Sequence, residues 1–194
     1  MTSGLTIGMF VGGAGKRMGG VAKGLLRAPD GTETLIERLL RLCARAAPDA
    51  KLYFVGDSSA YARFGVSALS DDPVGIGPIG GLRSLLQRAE REGSCAALAL
   101  ASDLPFLDER VISALIAPLA LAARVPFVAQ RLQPLSALYA PAPTLTAVNR
   151  SLELGKHALM HVLELLGPGV ERIEFDAAGA SALRDWDTPE DVRG

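Results

Sequence analysis

The chain has 194 residues, of which 49% are hydrophobic and 21% charged, and its formal net charge is −1. That size and balance fit one globular α/β unit with a substantial core. With no basic tail and no run of five like charges, the chain lacks the clustered Lys and Arg on which nucleic-acid binding rests. Cys43 and Cys95 belong to no CxxC pair, so neither a zinc site nor a disulfide framework is expected, and both read as small core residues. The stretch Met1–Val11 has no cationic start, and Val111–Ala123 is broken by Pro118 and too short to cross a bilayer. A soluble, cytoplasmic protein without a membrane partner is the expectation.

In chain order, Leu5–Val11 predicts a strand that runs directly into glycines. Thr34-Leu-Ile-Glu37 reads as a capping box, and the helix it opens places Leu35, Leu39, Leu42, Cys43 and Ala46 on one face until Pro48 closes it. Lys51–Val55 predicts a second strand, Ser59–Phe64 a short helix and Val66–Leu69 a third strand. After a loop over Asp71–Gly81, helical spacing runs through Leu82–Glu92. Cys95–Ala101 is a continuous apolar run suited to a strand buried on both faces. Asp108 is placed to cap a helix reaching about Leu119.

Phe127–Ala129 and Leu135–Tyr139 read as strands separated by the polar Gln130–Gln133. Thr144–Ser151 and Lys156–Leu166 read as helices and Arg172–Phe175 as a strand, while Thr188-Pro-Glu-Asp191 starts a last helical turn. This alternation implies a largely parallel sheet with helices on both faces, in one domain spanning residues 1–194.

The segment from Phe10 to Lys23 carries the strongest chemical signal. Glycines at 12, 13, 15 and 19 let the backbone turn sharply and bring amides against a polyanion, while Lys16, Arg17 and Lys23 add three cations. The loop is not a Walker A motif, because Lys16 is followed by Arg17, and Gly19 falls one place late for a dinucleotide fingerprint. A triphosphate suits this combination. Asp103 follows the buried run Cys95–Ala101, where open α/β sheets place their ligand crevice, and a carboxylate there can hold Mg²⁺. His157 and His161 stand four apart, as on one helix face, but lack a third ligand; Lys156 beside them is the better candidate to touch an anion.

Gly12-Gly13-x-Gly15-x-Arg17-Met18-Gly19 with Lys23-Gly24 resembles the signature of the MobA-like nucleotidyltransferases, above all the molybdenum cofactor guanylyltransferases. Gly77-Pro78-Ile79-Gly80-Gly81-Leu82, Ser102-Asp103-Leu104-Pro105, Gln133-Pro134-Leu135 with Ala137-Leu138-Tyr139, and Asp187-Thr188-Pro189-Glu190-Asp191 agree with that family in the same order. The resemblance implies a three-layer α/β/α Rossmann-like nucleotidyltransferase fold with a predominantly parallel sheet. It implies an enzyme that uses Mg²⁺ to transfer GMP from GTP onto molybdenum-bearing molybdopterin, releasing pyrophosphate, as a monomer or weak homo-oligomer.

By the same resemblance Gly12, Gly13, Ala14, Gly15 and Lys23 hold the nucleotide, and Arg17, Lys23 and Asp103 serve the chemistry. Asp103 and Asp187 take the metal, with Asp185 as the alternative to Asp187. Asp71 or Asp72 meets the base, with Asp71 the expected contact, and Gln133-Pro134-Leu135 lies toward the acceptor. One departure stands out: relatives often carry Val-x-Asn after the second strand, where this chain has Phe54-Val55-Gly56-Asp57. Two other readings compete, namely a CTP-using or other NTP transferase with a different phosphorylated acceptor, and a non-catalytic nucleotide-binding domain.

Overall fold

A computed structural model describes residues 4–12 and 22–186. The strands are β1 (Leu5–Phe10), β2 (Lys51–Val55), β3 (Ser67–Leu69), β4 (Ala96–Ala101), β5 (Ala123–Val128), β6 (Arg131–Leu132), β7 (Ser136–Tyr139) and β8 (Val170–Ile173). The helices are α1 (Leu35–Ala46), α2 (Pro78–Arg91), α3 (Glu109–Ile116), α4 (Pro141–Glu153), α5 (Leu159–Leu166) and α6 (Ala177–Ala182). All eight strands join one sheet, ordered β3-β2-β1-β4-β7-β5, with β6 and β8 both paired to β5. The first four strands in that order are mutually parallel. β7 runs antiparallel between β4 and β5, and β8 lies parallel to β5. The predominantly parallel α/β architecture expected from the strand–helix alternation is therefore present.

Side chains of successive residues leave a strand on opposite faces, and the central strands use this to serve two cores. Ile7, Met9, Leu98 and Leu100 pack with Phe54 and the apolar faces of α1 and α3. Ala97, Ala99 and Val55 pack instead against Leu82, Leu85, Leu86 and Ala89 of α2, with Ala147 and Val148 of α4 behind them. Gly8 belongs to the second face for a steric reason. A Cβ there would stand 2.7 Å from Leu85 Cδ2, so a side chain in mid-strand would push α2 off the sheet.

The capping box forms as read: Thr34 Oγ1 accepts from the Glu37 amide at 3.3 Å, and Glu37 Oε2 accepts from the Thr34 amide at 2.7 Å. Asp108 likewise caps α3 through the Val111 amide. Several boundaries differ from the sequence reading. α2 begins at Pro78 rather than Leu82, taking Gly80 and Gly81 into its first turn. α4 begins at Pro141, a favourable first helical residue, and α3 stops at Ile116. β5 occupies Ala123–Val128, and the polar stretch after it is a tight hairpin with Ala129 and Gln130 at positive φ, returning as β6. The strand expected at Arg172–Phe175 lies at Val170–Ile173, and α6 went unforeseen. The turn expected at Thr188–Asp191 lies outside the described residues.

Cys43 is buried as expected, but Cys95 is exposed, because β4 begins one residue later and leaves it on the rim. Burial pushes the Cys43 thiol up to about 12, which removes its reactive thiolate at neutral pH. A thiol-reactive dye is thus expected to label Cys95 within minutes in native protein and Cys43 only after denaturant is added. Rapid labelling of both in native buffer would contradict this packing. Among the described residues no helix is long and apolar enough to cross a membrane.

Candidate active site

A cleft of about 580 Å³ opens over the carboxyl ends of the parallel strands, where a doubly wound sheet concentrates its loops. Its walls come from Gly12 after β1, Gly56 and Asp57 after β2, Asp71 after β3, and Ser102 and Asp103 after β4. Lys23 and Leu135 close two further sides. Four strands that share one direction thus deliver four loops to one place.

Two glycines allow the β1 and β2 loops to meet. The amides of Val11 and Gly12 both donate to Val55 O, at 3.1 and 3.2 Å. Gly56 sits at φ +93, and a Cβ on it would stand 2.8 Å from Gly12 Cα. Here lies the explanation of the departure noted in the sequence. In this backbone Gly56 has neither the conformation nor the room for an asparagine side chain. The neighbouring Asp57 does face the cleft, with Oδ1 accepting from the Ser59 amide at 3.1 Å, a bond that holds its carboxyl below the usual range.

At the centre, Lys23 Nζ donates to Asp103 Oδ2 at 2.8 Å, with both side chains about one-fifth exposed (20% and 19%). Each partner is held from behind. Lys23 opens a 3-10 turn, Lys23–Leu25, in which the Gly24 amide donates to the phenol oxygen of buried Tyr61 at 3.2 Å. Asp103 O accepts from the Trp186 amide at 3.0 Å, bringing the Asp185–Trp186 segment against the β4 loop. Such a pair offers a cation for phosphate oxygens and a carboxylate for a divalent ion on the same patch of wall.

Asp71 and Asp72, equivalent in sequence, differ sharply in space. Asp72 turns away from the cleft and pairs with Arg83 Nη1 at 2.6 Å. Asp71 lines the cleft, and burial pushes its carboxyl up. Among the described residues nothing donates a hydrogen bond to it. A partly desolvated carboxylate without a donor is matched to a ligand that carries N–H groups.

Other expectations fare differently. Gly13, Ala14, Gly15, Arg17 and Asp187 lie outside the described residues. His157 precedes α5, which starts at Leu159, so the two histidines do not share a helix face. His161 Nδ1 instead meets Ser151 Oγ at 2.8 Å, and that hydroxyl donates to Lys156 O at 2.7 Å. The one serine proton being used on the carbonyl, the imidazole is the donor in this pair and Ser151 is no activated nucleophile. Lys156 is exposed and does not line this cleft. Among the described residues no three His, Cys, Asp or Glu groups gather into a metal cluster. The sequence reading also missed Tyr61 and Arg83, whose roles arise from contacts far along the chain.

Comparison with known proteins places the chain among nucleotidyltransferase relatives. A molybdenum cofactor guanylyltransferase of Mannheimia succiniciproducens is 39% identical over 92 residues, 46% of each chain, so the match spans about half of that relative. One of Pseudomonas syringae is 29% identical over 93% of this chain and 88% of its own. The crystal structure of molybdopterin-guanine dinucleotide biosynthesis protein A from Archaeoglobus fulgidus superposes with a TM-score of 0.76, at 21% identity, over 97% of this chain and 95% of that one. The model of the MobA-like NTP transferase domain matches residues 9–171, which include the end of β1, all of β2, β3 and β4, and the Lys23–Asp103 pair, and the chain therefore belongs to the MobA-like NTP transferase family.

Proposed function

We propose that the chain, as a single catalytic domain, is a molybdenum cofactor guanylyltransferase that joins GMP from GTP to the phosphate of molybdopterin. The observation that carries this reading is the Lys23–Asp103 pair, set at the carboxyl end of β4 in a cleft that also presents the donor-hungry Asp71. An acceptor phosphate oxygen attacks the α-phosphorus of GTP, the bond from that phosphorus to the β-bridging oxygen breaks, and pyrophosphate leaves with the electron pair. The phosphate nucleophile is already anionic at neutral pH, so no strong general base is needed. Catalysis then rests on positioning and charge neutralisation.

Mg²⁺ fits the donor set here, because it is satisfied by one or two carboxylates with phosphate oxygens and water. Asp103 would hold it, with Asp187 as second carboxylate, and the ion would neutralise charge on the triphosphate. Lys23 and Arg17 would orient the phosphates, the glycine loop at Gly13, Ala14 and Gly15 would receive them, since the Val11 and Gly12 amides are committed to Val55 O, and Asp71 would accept from guanine N1–H and the 2-amino group. Leu135, which lines the cleft, would face the acceptor. The free thiols of Cys43 and Cys95 suit a cytoplasmic setting.

The deciding experiment is a thermal-shift titration with Mg²⁺ and each of GTP, CTP, ATP and UTP, followed by an assay of GTP with molybdopterin. At a hundred times its dissociation constant a ligand adds about 2.7 kcal/mol of stability, a plainly measurable shift. GTP-selective stabilisation with pyrophosphate release is expected. Selectivity for CTP would move the chain to the cytidylyl transferases, and no shift with any nucleotide would remove the catalytic reading.

A further inference from the structure

Arg83 lies outside the cleft, yet it touches two elements that decide where Asp71 stands. Its Nη1 donates to Asp72 Oδ2 at 2.6 Å, and its Nε donates to Asn149 Oδ1 at 2.9 Å. Asn149 belongs to α4, Arg83 to α2, and Asp72 to the loop between β3 and α2. The guanidinium thus bridges a helix at the back of the molecule to the residue next to Asp71. Only a planar group with separate donors on two edges makes this bridge, which a lysine cannot reproduce.

The loop is already pressed on α2 at neighbouring points. Ser84 Oγ donates to Ser70 O at 2.6 Å, and the Asp72 amide donates to Gly80 O at 3.1 Å. A Cβ on Gly80 would stand 2.5 Å from Pro73 O, and one on Gly81 would stand 3.0 Å from Asp71 Oδ1. Residues 70–73 therefore lie flush on the first helical turn. Within this seated loop, the Asp72 carboxylate turns outward to Arg83 while the adjacent Asp71 lines the cleft.

The bridge contributes little to the fold itself. Arg83 and Asp72 are 27% and 49% exposed, a setting in which ion pairs add little to stability. The contact between α2 and α4 is carried by their shared apolar cluster. The bridge instead acts on the residue adjoining Asp71.

We propose that Arg83 and Asn149 are positioning residues for base recognition, holding Asp72 out so that Asp71 faces the guanine. This rests on the guanylyltransferase reading. GTP and ITP differ only in the 2-amino group, so their affinity ratio reads the Asp71 contact directly. A hydrogen bond to a charged group sets an expected preference for GTP of about tenfold in the wild-type protein.

The test measures Kd for GTP and ITP with Mg²⁺, alongside melting temperature, for wild type and the variants D71A, R83A, R83K, N149L and D71A/R83A. Expected is a collapse of the GTP:ITP ratio toward unity in D71A and R83A, and a partial fall in R83K and N149L, with melting temperatures close to wild type. The double variant should discriminate no worse than D71A alone, because Arg83 acts only through Asp71. If D71A loses discrimination while R83A and N149L retain it, the positioning role is overturned and the base contact stands. If wild type does not distinguish GTP from ITP, or D71A still does, the base contact itself falls and the positioning role with it. Should R83A not fold, R83K and N149L decide the matter by the same ratio.

Discussion

Asp103→Ala is expected to lower kcat by roughly a hundredfold or more, with the fold intact. The side chain projects from the loop after β4, and the anchor of that loop, the bond from the Trp186 amide, goes to the Asp103 carbonyl and survives the substitution. What is lost is a carboxylate that is 19% exposed, lies 2.8 Å from Lys23 and occupies the wall where a triphosphate and its metal would sit. A group that acts on developing charge affects kcat more than KM, so saturating GTP should not rescue the variant. Asp103→Asn, which keeps shape and removes charge, should fall nearly as far. Lys23→Met should be less than additive with it, since the two act as one unit. The measurement is pyrophosphate release at saturating GTP and acceptor, with melting temperature as control. Turnover within tenfold of wild type would take Asp103 out of the chemistry.

The largest effect on stability is expected at Arg124, far from the cleft. This residue sits in β5 between β7 and β8, with its side chain only 9% exposed. Nη1 donates to Ala117 O at 2.6 Å and Leu115 O at 3.2 Å, Nη2 donates to Pro118 O at 2.9 Å, and Nε pairs with Glu171 at 2.9 Å. The guanidinium is thus the C-terminal cap of α3, satisfying carbonyls that the end of a helix leaves without partners, and its charge suits the negative end of the helix dipole. Arg124→Ala strands those carbonyls at once, at a cost of about 3 kcal/mol. For a domain of this size that corresponds to a fall in melting temperature of roughly 6–12 °C. Arg124→Lys should recover less than half, because one ammonium cannot address carbonyls on several sides. Urea denaturation followed by circular dichroism measures it. A loss below about 1 kcal/mol would mean that water replaces the guanidinium at the helix end.

The sequence was legible where local chemistry decides. Thr34 with Glu37, Asp108 as a cap and the short apolar runs of β1 and β4 depend on residues a few positions apart, and each formed. Asp103 and Lys23 were legible because strand ends and cations are visible in one dimension, and both reached the cleft. The misreadings share a cause. Gly80 and Gly81 look like loop residues on propensity, yet they sit in the first turn of α2, where Pro73 and Val55 leave no room for a larger side chain. Arg124 makes β5 look unlike a buried strand, and its burial depends on carbonyls of α3 that local patterning does not reveal. Asp71 and Asp72 were inseparable because Arg83 and Asn149, which separate them, lie eleven residues and more away.

The sheet order also bears on how the chain comes to be folded. β1 is a central strand that precedes both of its partners in the chain, its two edges claimed by β2 and β4, with Leu5 opposite Ala96 and Phe10 opposite Ala101. During synthesis its backbone amides and carbonyls therefore lack a full set of partners until β4, through Ala101, has left the ribosome. Closing so wide a loop carries an entropic cost that only later contacts offset, which favours slow, late assembly of the sheet's centre. The cleft is built on the ends of these same strands, so the site comes into being with the sheet and not before it.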